Sequence, residues 1–103
     1  MIIRCWQALA KEDREADYQE HFLREVLPTL QRLAGFRGAT VLRRPQPDGI
    51  ALTVLTRWES MDTIRSFAGE NVENAVVAEA ASTCFHSFDH SVTHHEVILE
   101  VGD

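Results

Sequence analysis

Apolar and polar residues alternate in four stretches of the chain, residues 2–10, 36–44, 50–58 and 92–101, and each predicts a β-strand. Residues 12–34 instead carry apolar side chains at helical spacing and predict one long helix. Residues 60–68 and 72–81 predict two shorter helical segments, whereas 82–91 is polar and irregular. The resulting order, β-α-β-β-α-β with the second α in two pieces, is that of a ferredoxin-like α+β fold with a four-stranded antiparallel sheet.

Residues with known terminal preferences mark the ends of these helices. Asp13 is an expected N-cap of the first helix, and Gly35 is an expected stop. Pro28 lies inside that helix and cannot donate a backbone hydrogen bond, so a kink or break is expected there. Ser60 is placed to cap the second helix, which Gly69 ends. A loop at residues 45–49 joins the second and third strands.

Both faces of the first strand carry apolar groups. Ile3, Cys5 and Leu9 lie on one face, and Ile2, Trp6 and Ala8 on the other. Helices on one side of the sheet would leave the other apolar face uncovered, as a patch too large for a soluble monomer. The pattern therefore predicts a homodimer in which two sheets pack face to face as a barrel.

Composition limits the possible binding partners of the protein and its cellular compartment. The 103 residues suit one domain spanning residues 1–103. Sixteen acidic and ten basic residues give a net charge of −6, which argues against nucleic acid and against an anionic membrane as partners. The apolar run 75–78 is far too short to span a membrane. Cys5 and Cys84 are expected to be reduced thiols in a cytoplasmic protein.

Aromatic residues suggest a ligand pocket. Trp58 ends the third strand where the chain turns into a helix, a kind of junction that often borders a cleft. Trp6, Trp58 and Phe67 could line a pocket for a planar ligand, or could fill the core. Tyr18 and His21 are three residues apart on the first helix, and so either face a ligand together or form a pair at the solvent edge.

The histidines are the main candidates for chemistry. His86, His90 and His94 are spaced by four, which on one helix would suggest a metal site, but this segment is not convincingly helical and no metal is predicted. The alternatives are solvated loop histidines or a single histidine that acts as a general base.

His94 and His95 are adjacent on a strand and must point to opposite faces. His95 shares its face with Val97 and Leu99, which predicts that His95 faces the helices and is the catalytic residue. His94 shares its face with Glu96, which favours a paired structural role, and it is kept as a ligand-binding candidate.

Several segments together resemble the antibiotic biosynthesis monooxygenase (ABM) family of dimeric α/β barrels. The resemblance covers nearly the whole chain and consists mostly of packing residues. Its segments are Trp6 on the first strand, the turn from Gly35 to Gly38, Trp58-Glu59-Ser60, Ile64 and Phe67, Phe67-Ala68-Gly69-Glu70 leading to Ala75-Val76-Val77, and Phe88-Asp89 before the strand that begins at Val92.

The resemblance implies three functions. The first is a cofactor-free monooxygenase that acts with O₂ on a small planar aromatic such as a quinol or phenol. The second is a non-catalytic ligand-binding or stress-associated dimeric barrel, and the third is haem binding through one of the surface histidines. The family's haem degraders use an Asn on the first strand, a Trp on the second helix and a His about ten residues later. Those positions fall here near Trp6 or Gln7, on Phe67 and near Val77.

Overall fold

A computed structural model describes residues 1–102, and within them a five-stranded antiparallel sheet is flanked by helices. The strands are β1 Ile2–Ala10, β2 Phe36–Gln46, β3 Gly49–Trp58, β4 Phe85–Phe88 and β5 Thr93–Glu96. The helices are α1 Glu15–His21, α2 Leu27–Gln31, α3 Met61–Ala68 and α4 Glu79–Ser82, and a π-helical stretch, Phe22–Val26, joins α1 to α2. This α+β architecture confirms the predicted fold class.

The sheet corrects the predicted strand count. Its order is β2-β3-β1, and both β4 and β5 then pair with the free edge of β1. β4 lies opposite residues 8–10 and β5 opposite residues 2–5, so two short strands occupy the place of the predicted fourth strand. The chain between them leaves the sheet edge, because Ser91 bridges to Asn74 instead. Residues 85–88, predicted to be irregular, are thus a strand, and the strand predicted at 92–101 is only β5.

The first helical region is interrupted as Pro28 predicts. The helix begins with Arg14 at the N-cap, not Asp13, and Gly35 follows it with a φ of 91°. The π-helical stretch ends immediately before α2, whose second residue is Pro28. Because Pro28 has no N–H to donate to Arg24, the regular hydrogen-bond ladder cannot continue through this turn.

The helix predicted at residues 72–81 is wrong for most of its length. The Ala75 N–H donates to the His90 carbonyl over 2.9 Å, and the Val92 N–H donates to the Glu73 carbonyl over 2.8 Å. These long-range hydrogen bonds tie residues 73–75 to residues 90–92, the Asn74 N–H closes a turn onto the Asn71 carbonyl, and only α4 remains helical. Tertiary contacts therefore outweigh the local helical pattern here.

The junction after β3 matches its prediction closely. Trp58 is fully buried at the end of the strand. Ser60 and Thr63 form a capping box at the start of α3, in which each side-chain oxygen accepts a hydrogen bond from the other residue's backbone N–H. Ile64, one turn into α3, is also fully buried.

The two faces of the sheet differ in burial. Even-numbered residues of β1 and β3 face the helices, and in β3 all five of them are buried, from Ile50 to Trp58. Odd-numbered residues such as Ile3, Cys5 and Leu55 face away from the helices and are half-buried.

Among residues 1–102, no helix is long and apolar enough to cross a membrane. Cys5 and Cys84 are both free thiols.

Candidate ligand pocket

A partly open pocket lies between the helix-facing side of the sheet and the helical layer. Its cavity volume is about 60 Å³, and the figure reaches about 570 Å³ only when all space between its atoms and the open solvent at its mouth are counted. Its lining is mostly apolar, which is typical of small-molecule sites. The lining residues come from the sheet (Arg4, Trp6, Val54, Thr56), the first helical region (Tyr18, His21, Phe22, Val26, Leu30), and α3 with the segments after it (Phe67, Val76, Val77, Ala78, Ala81, Val92).

Tyr18 and His21 lie on one wall of this pocket, and their rings are adjacent, with centroids 6.2 Å apart. Tyr18 is 5% exposed, and burial, with a smaller contribution from Cys84, raises the pKa of its phenol to about 12. Tyr18 therefore stays protonated at neutral pH and can donate a hydrogen bond. His21 is half-buried and is the only imidazole among the lining residues described.

Trp6 closes the end of the pocket near β4. Its indole N–H donates to the Asp89 carbonyl over 2.7 Å, which fixes the ring orientation. The ring contacts Phe85 edge-on at 5.5 Å and lies 6.3 Å from the Tyr18 ring. The indole thus presents an aromatic surface whose own polar atom is already satisfied.

Trp58 supports the pocket from behind and does not line it. Its ring stacks on Phe67 at 5.8 Å and meets Phe36 edge-on at 5.4 Å. Its indole N–H donates to the Thr56 hydroxyl over 2.8 Å. Phe67 and Thr56 both line the pocket, so Trp58 positions two lining residues at once.

Arg4 is the buried cation of the pocket. Its guanidinium donates to the Val72 carbonyl at 2.6 Å and to the Asn74 carbonyl at 2.8 Å. It also lies 3.0 Å from Nε2 of His94 and 5.7 Å from the centroid of the Phe67 ring. Burial lowers the pKa of Arg4 to about 10, so it remains charged at neutral pH.

The predicted orientation of the two adjacent histidines is reversed. His95 pairs with Ile3 in the sheet register, which places it on the face turned away from the helices. It is exposed there, and Nε2 of its ring lies 2.9 Å from the Thr93 hydroxyl. His94 pairs with Arg4 on the helix-facing side instead. The apolar neighbours that suggested the opposite, Val97 and Leu99, lie beyond the end of β5, so strand alternation does not extend to them.

His94 holds Arg4 but does not line the pocket. Arginine can only donate, so Nε2 of His94 accepts this hydrogen bond and the ring is neutral. Burial, followed by the nearby Arg4 charge, lowers the pKa of His94. His86 is on β4 and His90 follows it, so these two share no helix with His94. Among residues 1–102, no three His, Cys, Asp or Glu side chains are grouped to hold a metal ion.

The pocket brings together four of the seven predicted site residues, Trp6, Tyr18, His21 and Phe67, and leaves out Trp58, His94 and His95. Sequence reasoning missed Arg4, although a signal was present. Arg4 has the same parity as Ile2, Trp6 and Ala8, so a charged residue interrupts the inward-facing apolar side of β1.

Of the residues at the positions used by haem degraders, Trp6, Phe67 and Val77 line this pocket, whereas Gln7, the alternative to Trp6, is exposed and does not. Their chemistry does not fit that activity. An isopropyl side chain at Val77 cannot ligate iron, and the indole N–H of Trp6 is engaged by Asp89. The pocket therefore lacks the polar set that the family's haem degraders place at these positions.

The protein is a ferredoxin-like α+β domain. It carries an apolar, aromatic-lined pocket between the sheet and the helices, as small-molecule-binding domains do. A model of the antibiotic biosynthesis monooxygenase family matches residues 1–78, and the chain belongs to that family. No functionally curated protein matches it in sequence.

Several solved structures share the fold at low sequence identity. A putative antibiotic biosynthesis monooxygenase from Bacillus cereus is 19% identical, with a TM-score of 0.68 and coverage of 100% of this chain and 98% of that one. A haem degrader from Mycobacterium tuberculosis, solved with two haems in its active site, is 20% identical, with a TM-score of 0.66 and coverage of 99% and 100%. A Streptomyces coelicolor monooxygenase in complex with nanaomycin D is 19% identical, with a TM-score of 0.61 and coverage of 97% and 92%.

Proposed function

We propose that the protein is a monooxygenase that binds a small planar phenol or quinol in this pocket and oxidises it with O₂. The observation that carries the proposal is the pocket itself, in which Trp6 and Phe67 supply aromatic surfaces. Tyr18 and His21 stand side by side on one wall, as a hydrogen-bond donor and a proton acceptor. Two structural neighbours were solved with organic ligands bound, haem in one and nanaomycin D in the other.

In the proposed reaction, His21 accepts the phenol proton and the resulting anion reacts with O₂. One oxygen atom enters the ring and the other leaves as water, so that phenol and O₂ give quinone and water. For 1-naphthol the products are 1,4-naphthoquinone and water. The electrons come from the substrate, so the proposal requires no additional reductant and no cofactor.

A non-catalytic ligand-binding or stress-associated protein is the alternative, and one observation favours it. His21 is the only imidazole among the lining residues described, so proton transfer depends on this one side chain. If His21 is not positioned for proton transfer, the same pocket binds a planar ligand without turnover. Haem binding ranks third, because Val77 supplies no ligand for iron.

Oxygen uptake separates these functions. Metal-free, haem-free protein is mixed with 1-naphthol, 2-naphthol or 1,4-dihydroxynaphthalene in an oxygen electrode, with heat-denatured protein as the control for autoxidation. We expect uptake above the control with at least one of these compounds. Binding of the panel without any uptake would favour the ligand-binding protein, and a Soret band after titration with haem would support the third function.

The proposal includes a homodimer whose interface is the sheet face turned away from the helices. Apolar residues such as Ile3, Leu9 and Leu55 are only half-buried on that face, and Leu42 is 47% exposed. The segment that follows β5 forms no strand, and its Ile98, at 92% exposed, needs a covering surface as well. A second copy would cover both the sheet face and this segment.

A cytoplasmic location, in keeping with two free thiols, is part of the same proposal.

Light scattering coupled to size exclusion tests the dimer. At micromolar concentration we expect twice the mass of one chain. Leu42→Glu places a charge on the proposed interface and should shift the protein to monomer. Leu23→Glu is the matched control, because Leu23 is 62% exposed on the helical side, and it should leave the mass unchanged. A wild-type protein that stays monomeric would remove the dimer from the proposal.

A further inference from the structure

Arg4 differs from the arginines of this protein that form ion pairs. Within residues 1–102, every ion pair of an arginine involves a partly or largely exposed side chain, and these are Arg14, Arg24, Arg37, Arg43 and Arg65. Arg4 is 5% exposed and forms no ion pair among the same residues. A buried charge without a counter-ion is costly, so its retention calls for a physical reason.

The hydrogen bonds of Arg4 do not neutralise its charge. Its partners are the Val72 carbonyl, the Asn74 carbonyl and the neutral ring of His94. These contacts use both N–H groups of Nη1 and one of Nη2. A guanidinium has five N–H groups, so those of Nε and the second of Nη2 have no partner within residues 1–102. Two N–H donors are what a carboxylate accepts in a bidentate pair.

The surroundings of Arg4 favour an anion over a second cation. No Asp or Glu is among the residues described as lining the pocket. Thr56 faces Arg4 across the β1–β3 ladder, and its oxygen accepts from Trp58, which leaves its own proton to donate. The Phe67 ring beside the guanidinium leaves an aromatic surface next to the charge. A ligand with an aromatic ring and an attached anionic group could therefore pack its ring on Phe67 and pair its anionic group with Arg4.

We propose that the ligand of this pocket is an aromatic carboxylate whose carboxylate pairs with Arg4. This inference rests on the proposed function and narrows it, because the substrate becomes a hydroxylated aromatic acid. Arg4 holds the acid group, and the hydroxyl group is left for His21 and Tyr18. Arg4 then has two roles. It determines ligand specificity, and it also holds residues 72–74 through its hydrogen bonds.

Calorimetric titration with a matched pair of probes tests this inference. 2-Naphthoate and 2-naphthamide have the same ring system and nearly the same shape, and differ in charge. We expect the wild-type protein to bind the carboxylate at least tenfold more tightly than the amide, because charge-assisted pairs are the stronger hydrogen bonds. Arg4→Gln should remove most of this preference, and Arg4→Lys, which keeps the charge but not the planar fork, should retain part of it.

Arg65→Gln is the matched control, since it removes an arginine exposed on α3 and paired only with Asp62. It should leave the preference for naphthoate intact. Equal affinities of the wild-type protein for both probes would overturn the role of Arg4 but leave the pocket in place. A preference that survives both Arg4 variants would also overturn it. If neither probe binds, this inference fails, whereas the proposed function stands or falls on oxygen uptake with the naphthols.

Should Arg4→Gln not fold, the wild-type comparison and Arg4→Lys still decide the matter. Arg4→Lys should weaken the binding of naphthoate more than that of naphthamide. Equal weakening of both probes would mean that Arg4 only ties residues 72–74 to the sheet, and would overturn the inference.

Discussion

Trp58→Ala is expected to lower the free energy of unfolding by about 3 kcal/mol or more in denaturant melts. Trp58 is fully buried, and its ring packs between Phe36 and Phe67. Its removal leaves a cavity that these two rings cannot fill. It also removes the indole N–H that donates to Thr56, a second and smaller loss.

Two further variants show whether the loss arises from this packing. Trp58→Phe keeps an aromatic ring and should lose clearly less than Trp58→Ala. Leu23→Ala removes a side chain that is 62% exposed and should change stability by less than about 0.5 kcal/mol. A loss below about 1 kcal/mol for Trp58→Ala would mean that Trp58 does not support the pocket.

His21→Ala should lower kcat by about 10²-fold for whichever phenol of the panel is turned over. The reason is positional, since His21 lines the pocket beside the Tyr18 ring. As the general base, it should affect kcat more than KM. The measurement is O₂ consumption by variants whose folding matches that of the wild-type protein.

His95→Ala is the decisive comparison, because strand alternation in the sequence predicted His95 as the base. The exposed position of His95, on the face away from the helices, implies little effect on turnover. His86→Ala, also exposed, serves as a second control. A large loss in His95→Ala with normal turnover in His21→Ala would contradict the assignment to His21.

Much of the fold could be predicted because its signals are local. Alternation of apolar and polar residues predicted both ends of β1 and placed the ends of β3 to within one residue. Ser60 starts a helix and Pro28 interrupts one, and each does so through the backbone of its own turn. The predicted helix at 72–81 failed because its backbone groups bond to residues distant in sequence, including Arg4 and Val92. No local pattern encodes those partners.

The site was predicted in part for the same reason. Trp6, Tyr18 and Phe67 are large aromatics on inward-facing positions, so periodicity found them. Which sheet face His94 and His95 lie on depends on where β5 ends and on which residues of β1 pair with β5. Both are properties of the assembled sheet. Arg4 stood out in the sequence as a charge on an apolar face, but its lack of a carboxylate partner became apparent only when the chain was folded.

A crystal structure of the protein with bound 2-naphthoate shows directly whether the pocket holds an aromatic carboxylate. We expect one molecule between the sheet and the first helical region. Its rings should lie against Trp6 or Phe67, and its carboxylate should be within hydrogen-bonding distance of the Arg4 guanidinium. Naphthoate bound elsewhere, with the pocket filled by rearranged protein side chains, would contradict this expectation.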